Sequence, residues 1–149
     1  MLKIGDNLPF FSCRDDKGNT VTQEDFKGKN IVLFFYPRAN TPGCTAQACN
    51  LSENYERLTK AGYSVFGVSA DQVKHQSSFS NKFGFPYPLL ADTEKTLINS
   101  FGVWGFKKFM GKEYEGILRT TFVLNKDSVI TNVIEKVKTK DHTSQILDL

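Results

Sequence analysis

Six consecutive apolar residues, Ile31-Val32-Leu33-Phe34-Phe35-Tyr36, stand out in an otherwise mixed chain and are stopped at once by Pro37. A run rich in β-branched and aromatic side chains and too short for a helix predicts a central strand covered on both faces. A second run, Tyr63 to Ser69, predicts another buried strand. Between them Thr41 can act as an N-cap with Pro42 at the first helical position, so a helix is expected from Pro42 to about Lys60, closing at Gly62. Two buried strands joined through a helix imply a parallel crossover.

The flanking segments complete an α/β order. Phe10 to Cys13 and Thr20-Val21, around the polar Asp15 to Asn19, predict a short hairpin, and Thr22 to Phe26 a capped helical turn ended at Gly28. Asp71 is expected to cap a helix running to about Lys82, Pro88 to Ala91 to form a brief strand, and Asp92 or Thr93 to cap a helix ending near Phe101. Arg119 to Leu124 and Ser128 to Ile134 predict two strands around the turn Asn125-Lys126-Asp127. A last helix is expected over Asp141 to Leu149.

Composition narrows the class. A chain of 149 residues, 40% hydrophobic, suits one domain, 1–149, with a sizeable core. The formal charge of +3 is spread evenly, with 9 basic against 8 acidic residues up to His75 and 10 against 8 beyond it, so no basic stripe speaks for a nucleic-acid or membrane-surface partner. Charges at Lys3 and Asp6 fall where a secretory signal would need an apolar core, and no stretch approaches the ~20 apolar residues of a membrane span. A cytoplasmic location is expected. Three cysteines in a reducing compartment fit transient redox chemistry better than a structural framework. Without a C-x-x-C pair, and with His75 and His142 expected at the surface, no metal site is expected.

The candidate chemistry lies in the turn after the central strand. Cys44 falls in the first helical turn, where backbone N–H groups and the helix dipole favour a thiolate, the nucleophilic form. A helix terminus contributes about 0.3 to 1 kcal/mol, less than the ~1.4 that corresponds to one pKa unit, so efficient thiolate chemistry requires a cation nearby. Arg119, and nearer in sequence Arg38, are the candidates, with Arg38 expected to face solvent. Cys49 lies five residues on. On a regular helix the two α-carbons are roughly 8.7 Å apart, beyond the ~7 Å that a disulfide spans. Either the two never pair, or the first turn unwinds on oxidation. Cys13, on the hairpin, is expected to be a core or edge residue, and Trp104 either a packed aromatic or part of a substrate approach.

Pro37-x-x-x-Thr41-x-x-Cys44 resembles the active-site signature of the peroxiredoxins, and Thr41-Pro42-Gly43-Cys44-Thr45-Ala46-Gln47-Ala48-Cys49 that of the bacterioferritin comigratory protein, or peroxiredoxin Q, subfamily. Phe101 to Gly105, Phe109 to Lys112 and Gly116 to Leu124 resemble further segments of that subfamily in the same order. The resemblance implies a thioredoxin-like α/β fold with an N-terminal β-hairpin extension. It also implies a thiol peroxidase that reduces hydrogen peroxide and alkyl hydroperoxides without metal, haem or flavin. Cys44 would be the peroxidatic cysteine and Cys49 the resolving one. Thr41 would donate a hydrogen bond to the peroxide, Arg119 would supply the cation, Pro37 would shield the site, and Gly43 would present its backbone N–H to the substrate. The implied partner is thioredoxin or a similar dithiol reductant, and a monomer is expected. A protein-disulfide oxidoreductase and a non-enzymatic redox sensor are the rival classes; the C-x-x-x-x-C spacing disfavours the first.

Overall fold

The computed structural model describes residues 1–149, the side chain of Phe109 excepted. The run Ile31 to Tyr36 is fully buried, and its alternating side chains divide between two cores. Ile31, Leu33 and Phe35 meet Phe66, Phe101 and Phe122 on one face, whereas Val32, Phe34 and Tyr36 meet Ala48, Leu51, Leu58, Phe79 and Ile146 on the other. Period-two alternation with both faces covered is what makes an unbroken apolar run a central strand.

That strand, β3 (Asn30–Phe35), is the fifth of seven in the order β2-β1-β5-β4-β3-β8-β9. Its neighbours are β4 (Tyr63–Ser69), parallel, and β8 (Thr120–Leu124), antiparallel. The hairpin of β1 (Ser12–Asp15) and β2 (Thr20–Thr22) extends the edge beyond β5 (Leu89–Ala91), and β9 (Ile130–Ile134) closes the other edge. Between β3 and β4 run α1 (Pro42–Glu53) and α2 (Tyr55–Lys60), and between β4 and β5 runs α3 (Val73–Phe83). The α/β order and the β3–β4 crossover are as the sequence predicts. No helix among the described residues is long and apolar enough to cross a membrane.

Several local expectations fail for identifiable reasons. The expected single helix to Lys60 breaks at Asn54, whose side-chain amide donates to the Asn50 carbonyl (2.8 Å) and competes with the helical ladder. Thr41 occupies the N-cap position but makes no capping bond; its hydroxyl donates to the Arg38 carbonyl at 2.8 Å. Asp71 does not cap α3, which begins at Val73 after Gln72. Asp92 reaches α4 (Thr96–Phe101) from further back, accepting from the Ile98 amide at 2.8 Å. The segment from Gly102 to Leu118, for which the pattern gives no element, contains a separate two-stranded ribbon, β6 (Trp104–Phe109) with β7 (Lys112–Ile117). Its alternation is obscured by the adjacent Lys107-Lys108, and its turn runs through positive φ at Met110 and Gly111.

The C-terminal helix α5 (His142–Leu147) is shorter than expected and packs on α1. Asn50 holds it there. Its amide donates to the Lys140 carbonyl at 3.0 Å, while the Thr143 amide donates to Asn50 Oδ1 at 2.8 Å and the Thr143 hydroxyl to the Asn50 carbonyl at 3.2 Å. His75 is exposed, as expected, but His142 is fully buried, contrary to expectation, because α5 turns His142, Thr143 and Ile146 inward. Gln145 Oε1 already accepts from the Lys138 amide, so it accepts the His142 Nδ1 proton as well (2.8 Å), and Nε2 accepts from the Thr121 hydroxyl (2.7 Å). Burial pushes His142 below its ordinary 6.5. As pH falls below about 6.5 the unfolded chain takes up a proton that the folded histidine resists, so stability declines with falling pH. Denaturant unfolding between pH 7.5 and 5.5 should show that decline in the unmutated protein and a flatter slope in His142→Gln.

Candidate active site

Pairing of β8 with β3 places the site. Thr120 lies opposite Phe35 and Thr121 opposite Phe34, so Arg119, just ahead of β8, emerges at the carboxyl end of β3. The same end of β3 feeds Tyr36, Pro37 and the turn into α1, whose third residue is Cys44. The two come together. Arg119 Nη2 lies 3.4 Å from Cys44 Sγ, a thiol only 1% exposed. Glycine at position 43 makes this possible, because a Cβ there would sit 3.1 Å from the same Nη2. The other guanidinium nitrogen donates to Gln47 Oε1 at 2.6 Å. Arg38, the rival cation, is exposed.

Gln47 is a site residue that the sequence reading missed. It follows Cys44 by three positions, so both lie on one helix face, and that spacing was the available signal. Gln47 is fully buried, and its Nε2 has no hydrogen-bond partner among the described residues. Lys107, also missed, reaches back from β6 to donate to the Ile117 carbonyl at 2.9 Å. Burial and the Arg119 charge push its ammonium below the usual lysine range.

Pro37, Ala70, Trp104, Lys107, Tyr114 and Ile117 help to line a groove of about 290 Å³ between the β3–α1 turn and the β6–β7 ribbon. Trp104 lines this groove, where its indole N–H donates to Glu115 at 3.3 Å and the Lys95 ammonium stands 4.2 Å from its ring centroid. Thr41, three residues before Cys44, is partly exposed. Cys49 is a free, partly exposed thiol on the same helix as Cys44, pushed up by burial and the Glu53 carboxylate. Cys13, on β1, lies apart in the sheet's hairpin edge; burial, Asp92 and Asp15 push its thiol up to about 12.

A thiol at a helix start facing a guanidinium, on a mixed sheet of thioredoxin-like order, is a pairing that could serve thiolate chemistry. The chain belongs to the AhpC/TSA family, whose pattern matches residues 4–133. It is 43% identical over 147 residues to the peroxiredoxin Bcp of Escherichia coli, covering 99% of this chain and 94% of that one. To the peroxiredoxin Bcp of Bacillus subtilis it is 40% identical over 146 residues, covering 98% and 93%. Among solved structures, a peroxiredoxin Q mutant from Xylella fastidiosa superposes with a TM-score of 0.92 at 29% identity, covering 99% of this chain and 94% of that one. The bacterioferritin comigratory protein of Xanthomonas campestris, studied for alkyl peroxide reduction, gives 0.86 at 33% identity, covering 93% and 88%. The expected peroxiredoxin-type fold, with β1–β2 as its hairpin extension, is the fold observed.

Proposed function

We propose that Cys44 is the peroxidatic cysteine and Cys49 the resolving cysteine of a dithiol-dependent peroxidase that serves antioxidant defence. The observation that carries this reading is the Arg119 guanidinium 3.4 Å from Cys44 Sγ at the start of α1. Cys44 thiolate attacks the terminal oxygen of the hydroperoxide. The O–O bond breaks, the leaving oxygen takes a proton to become water or an alcohol, and Cys44 is left as a sulfenic acid. Arg119 and the Gly43 and Cys44 amides, which precede the first helical bond from Thr45 N to the Thr41 carbonyl (2.8 Å), supply positive potential where charge develops. The Thr41 hydroxyl proton goes to the Arg38 carbonyl, so in place of the expected donation to the peroxide its lone pairs accept the O–H of the hydroperoxide. Pro37 walls the sulfur from bulk water, and the groove beside it accommodates the organic group of an alkyl hydroperoxide.

In the second step Cys49 thiol condenses with the sulfenic acid, releasing water and forming a Cys44–Cys49 disulfide after the first turn of α1 opens. A dithiol of the thioredoxin type then exchanges with that disulfide and regenerates both thiols. Both cysteines lie in one chain, so a monomer completes the cycle, in a reducing compartment such as the cytoplasm.

The test is peroxide consumption with thioredoxin, thioredoxin reductase and NADPH, alongside mass spectrometry of the oxidised protein. The unmutated protein should turn over continuously and lose two hydrogens on oxidation, whereas Cys49→Ser should stop after one equivalent of peroxide. Cys13→Ser should behave as the unmutated protein, because a thiol with a pKa of about 12 is almost wholly protonated at neutral pH. Continued thioredoxin-driven turnover by Cys49→Ser would replace the disulfide step with a one-cysteine cycle.

A further inference from the structure

We propose that Asp71 is a positioning residue for this reaction: its carboxylate latches the loop Pro37 to Thr41 and thereby sets how readily the first turn of α1 opens. The inference rests on the reading of Cys49 as the resolving thiol.

Asp71 lies two residues beyond the end of β4 and one before the N-cap position of α3, yet α3 has no side-chain cap. The carboxylate instead reaches 32 residues back, and Oδ2 accepts from the Ala39 amide at 2.8 Å. Ala39 is the midpoint of the loop that ends in Cys44's helix. It is 9% exposed between exposed neighbours, and the next residue, Asn40, is held at a φ of 63°, in the left-handed region. A bond from an amide to a carboxylate is shorter and stronger than a neutral one, so it suits a loop that must hold an uncommon conformation.

The latch has a rigid backing. Asp71 Oδ2 also accepts from the Ser69 hydroxyl at 2.6 Å, and Ser69 Oγ accepts from Gln76 Nε2 at 2.9 Å. Gln76 Nε2 donates as well to the Leu90 carbonyl at 2.9 Å, and Gln76 Oε1 accepts from the Tyr36 hydroxyl. Ser69, Gln76 and Tyr36 are fully buried. The ends of β3 and β4, together with β5 and α3, are thus joined by one chain of hydrogen bonds that terminates on the Ala39 amide. The loop's other side-chain bond, from Thr41 to Arg38, is internal to it and ties it to nothing else.

The two chemical steps make opposite demands on this loop. Attack on peroxide requires Cys44 seated against Arg119, with the turn closed; formation of the disulfide requires the turn open. Removing the latch therefore slows the first step and speeds the second. General damage to the site has no reason to produce that split.

The experiment compares Asp71→Ala with Asp71→Asn, which keeps an acceptor oxygen but loses the charge, and with the unmutated protein. In the reduced protein, hydrogen exchange at the Ala39 amide and at those of Gly43 to Gln47 should accelerate about tenfold in Asp71→Ala and less in Asp71→Asn. Stopped-flow oxidation by hydrogen peroxide should slow about five- to tenfold, while the disulfide that follows should form several-fold faster and less sulfinic acid should accumulate at high peroxide. Unchanged exchange, or both steps moving in the same direction, overturns the proposal. If the unmutated protein forms no Cys44–Cys49 disulfide, the resolving role of Cys49 falls. The latch is then judged by exchange and by the peroxide step alone.

Discussion

Cys44→Ser protein is expected to consume no hydroperoxide above the uncatalysed rate while keeping its fold. Peroxide reduction here requires two electrons from sulfur. A serine oxygen cannot be carried to an analogue of sulfenic acid, and its hydroxyl stays protonated at any pH that the fold tolerates. The substitution removes little volume, and the new hydroxyl retains the Arg119 guanidinium as a partner. Even an unpaired hydroxyl buried in the cluster around Tyr36 and Ala48 costs about 1 to 3 kcal/mol, so with Arg119 beside it a denaturation midpoint will register a shift and not a collapse. The measurement is peroxide loss in single- and multiple-turnover assays, paired with trapping of sulfenic acid by a nucleophilic probe. A folded Cys44→Ser protein that still yields a probe adduct and consumes peroxide would move the nucleophile to another cysteine.

Arg119→Met should lower the second-order rate constant for Cys44 oxidation by about 100- to 1000-fold, the usual cost of deleting one preorganised donor aimed at developing charge. Methionine keeps much of the side-chain length, so the comparison isolates the charge. The loss should appear in kcat/KM across hydroperoxides of different size, since in the proposed mechanism the guanidinium acts on the O–O bond common to all of them. Arg119→Lys should recover only part of it. One ammonium cannot take the place of a planar fork that holds Gln47 Oε1 with one nitrogen and faces Cys44 Sγ with the other. An unchanged rate would remove Arg119 from the site.

The parts of this molecule legible in the sequence are those written in short-range pattern. The run from Ile31 to Tyr36 could be placed as a buried central strand because its composition and its proline stop leave few alternatives, and both of its faces are indeed covered. The position of Cys44 in a first helical turn followed from Thr41 and Pro42. What the pattern could not supply was the use of a polar side chain that has several possible partners. Asp71, Asp92 and Thr41 all carry oxygens that cap helices well, yet none caps in the ordinary way. Asp71 is drawn to Ala39 and Thr41 to Arg38, while Asp92 bonds an amide further into its helix. Asn54 carries the same kind of competition into the middle of a predicted helix and divides it.

Long-range pairing was equally hidden. Nothing local marks Gln47 as the partner of a residue 72 positions away, or His142 as a buried ring between Thr121 and Gln145. The β6–β7 ribbon went unnoticed because paired lysines interrupt its alternation, although it supplies Trp104 and Lys107 to the groove. Arg119 lay between these cases. Its place at a strand start was readable to within one residue, but its approach to Cys44 depends on the antiparallel register of β8 with β3, which only the assembled sheet specifies.

The bonds between Asn50 and the segment Lys140 to Thr143 decide which sulfur travels in the proposed cycle. Asn50 adjoins Cys49, and its side chain and carbonyl are held by three contacts to the C-terminal segment, whereas the first half of α1 is held through side chains, Cys44 and Gln47, to Arg119. Cys49 is then the stationary member of the pair, and the gap closes by displacement of Cys44. In that cycle a reductant would meet one sulfur in the place it holds in the reduced enzyme, beside the contact of α1 with the segment Lys140 to Thr143. Its recognition can rest on that unchanging place, while the sulfur released by exchange returns unaided to its seat beneath Arg119.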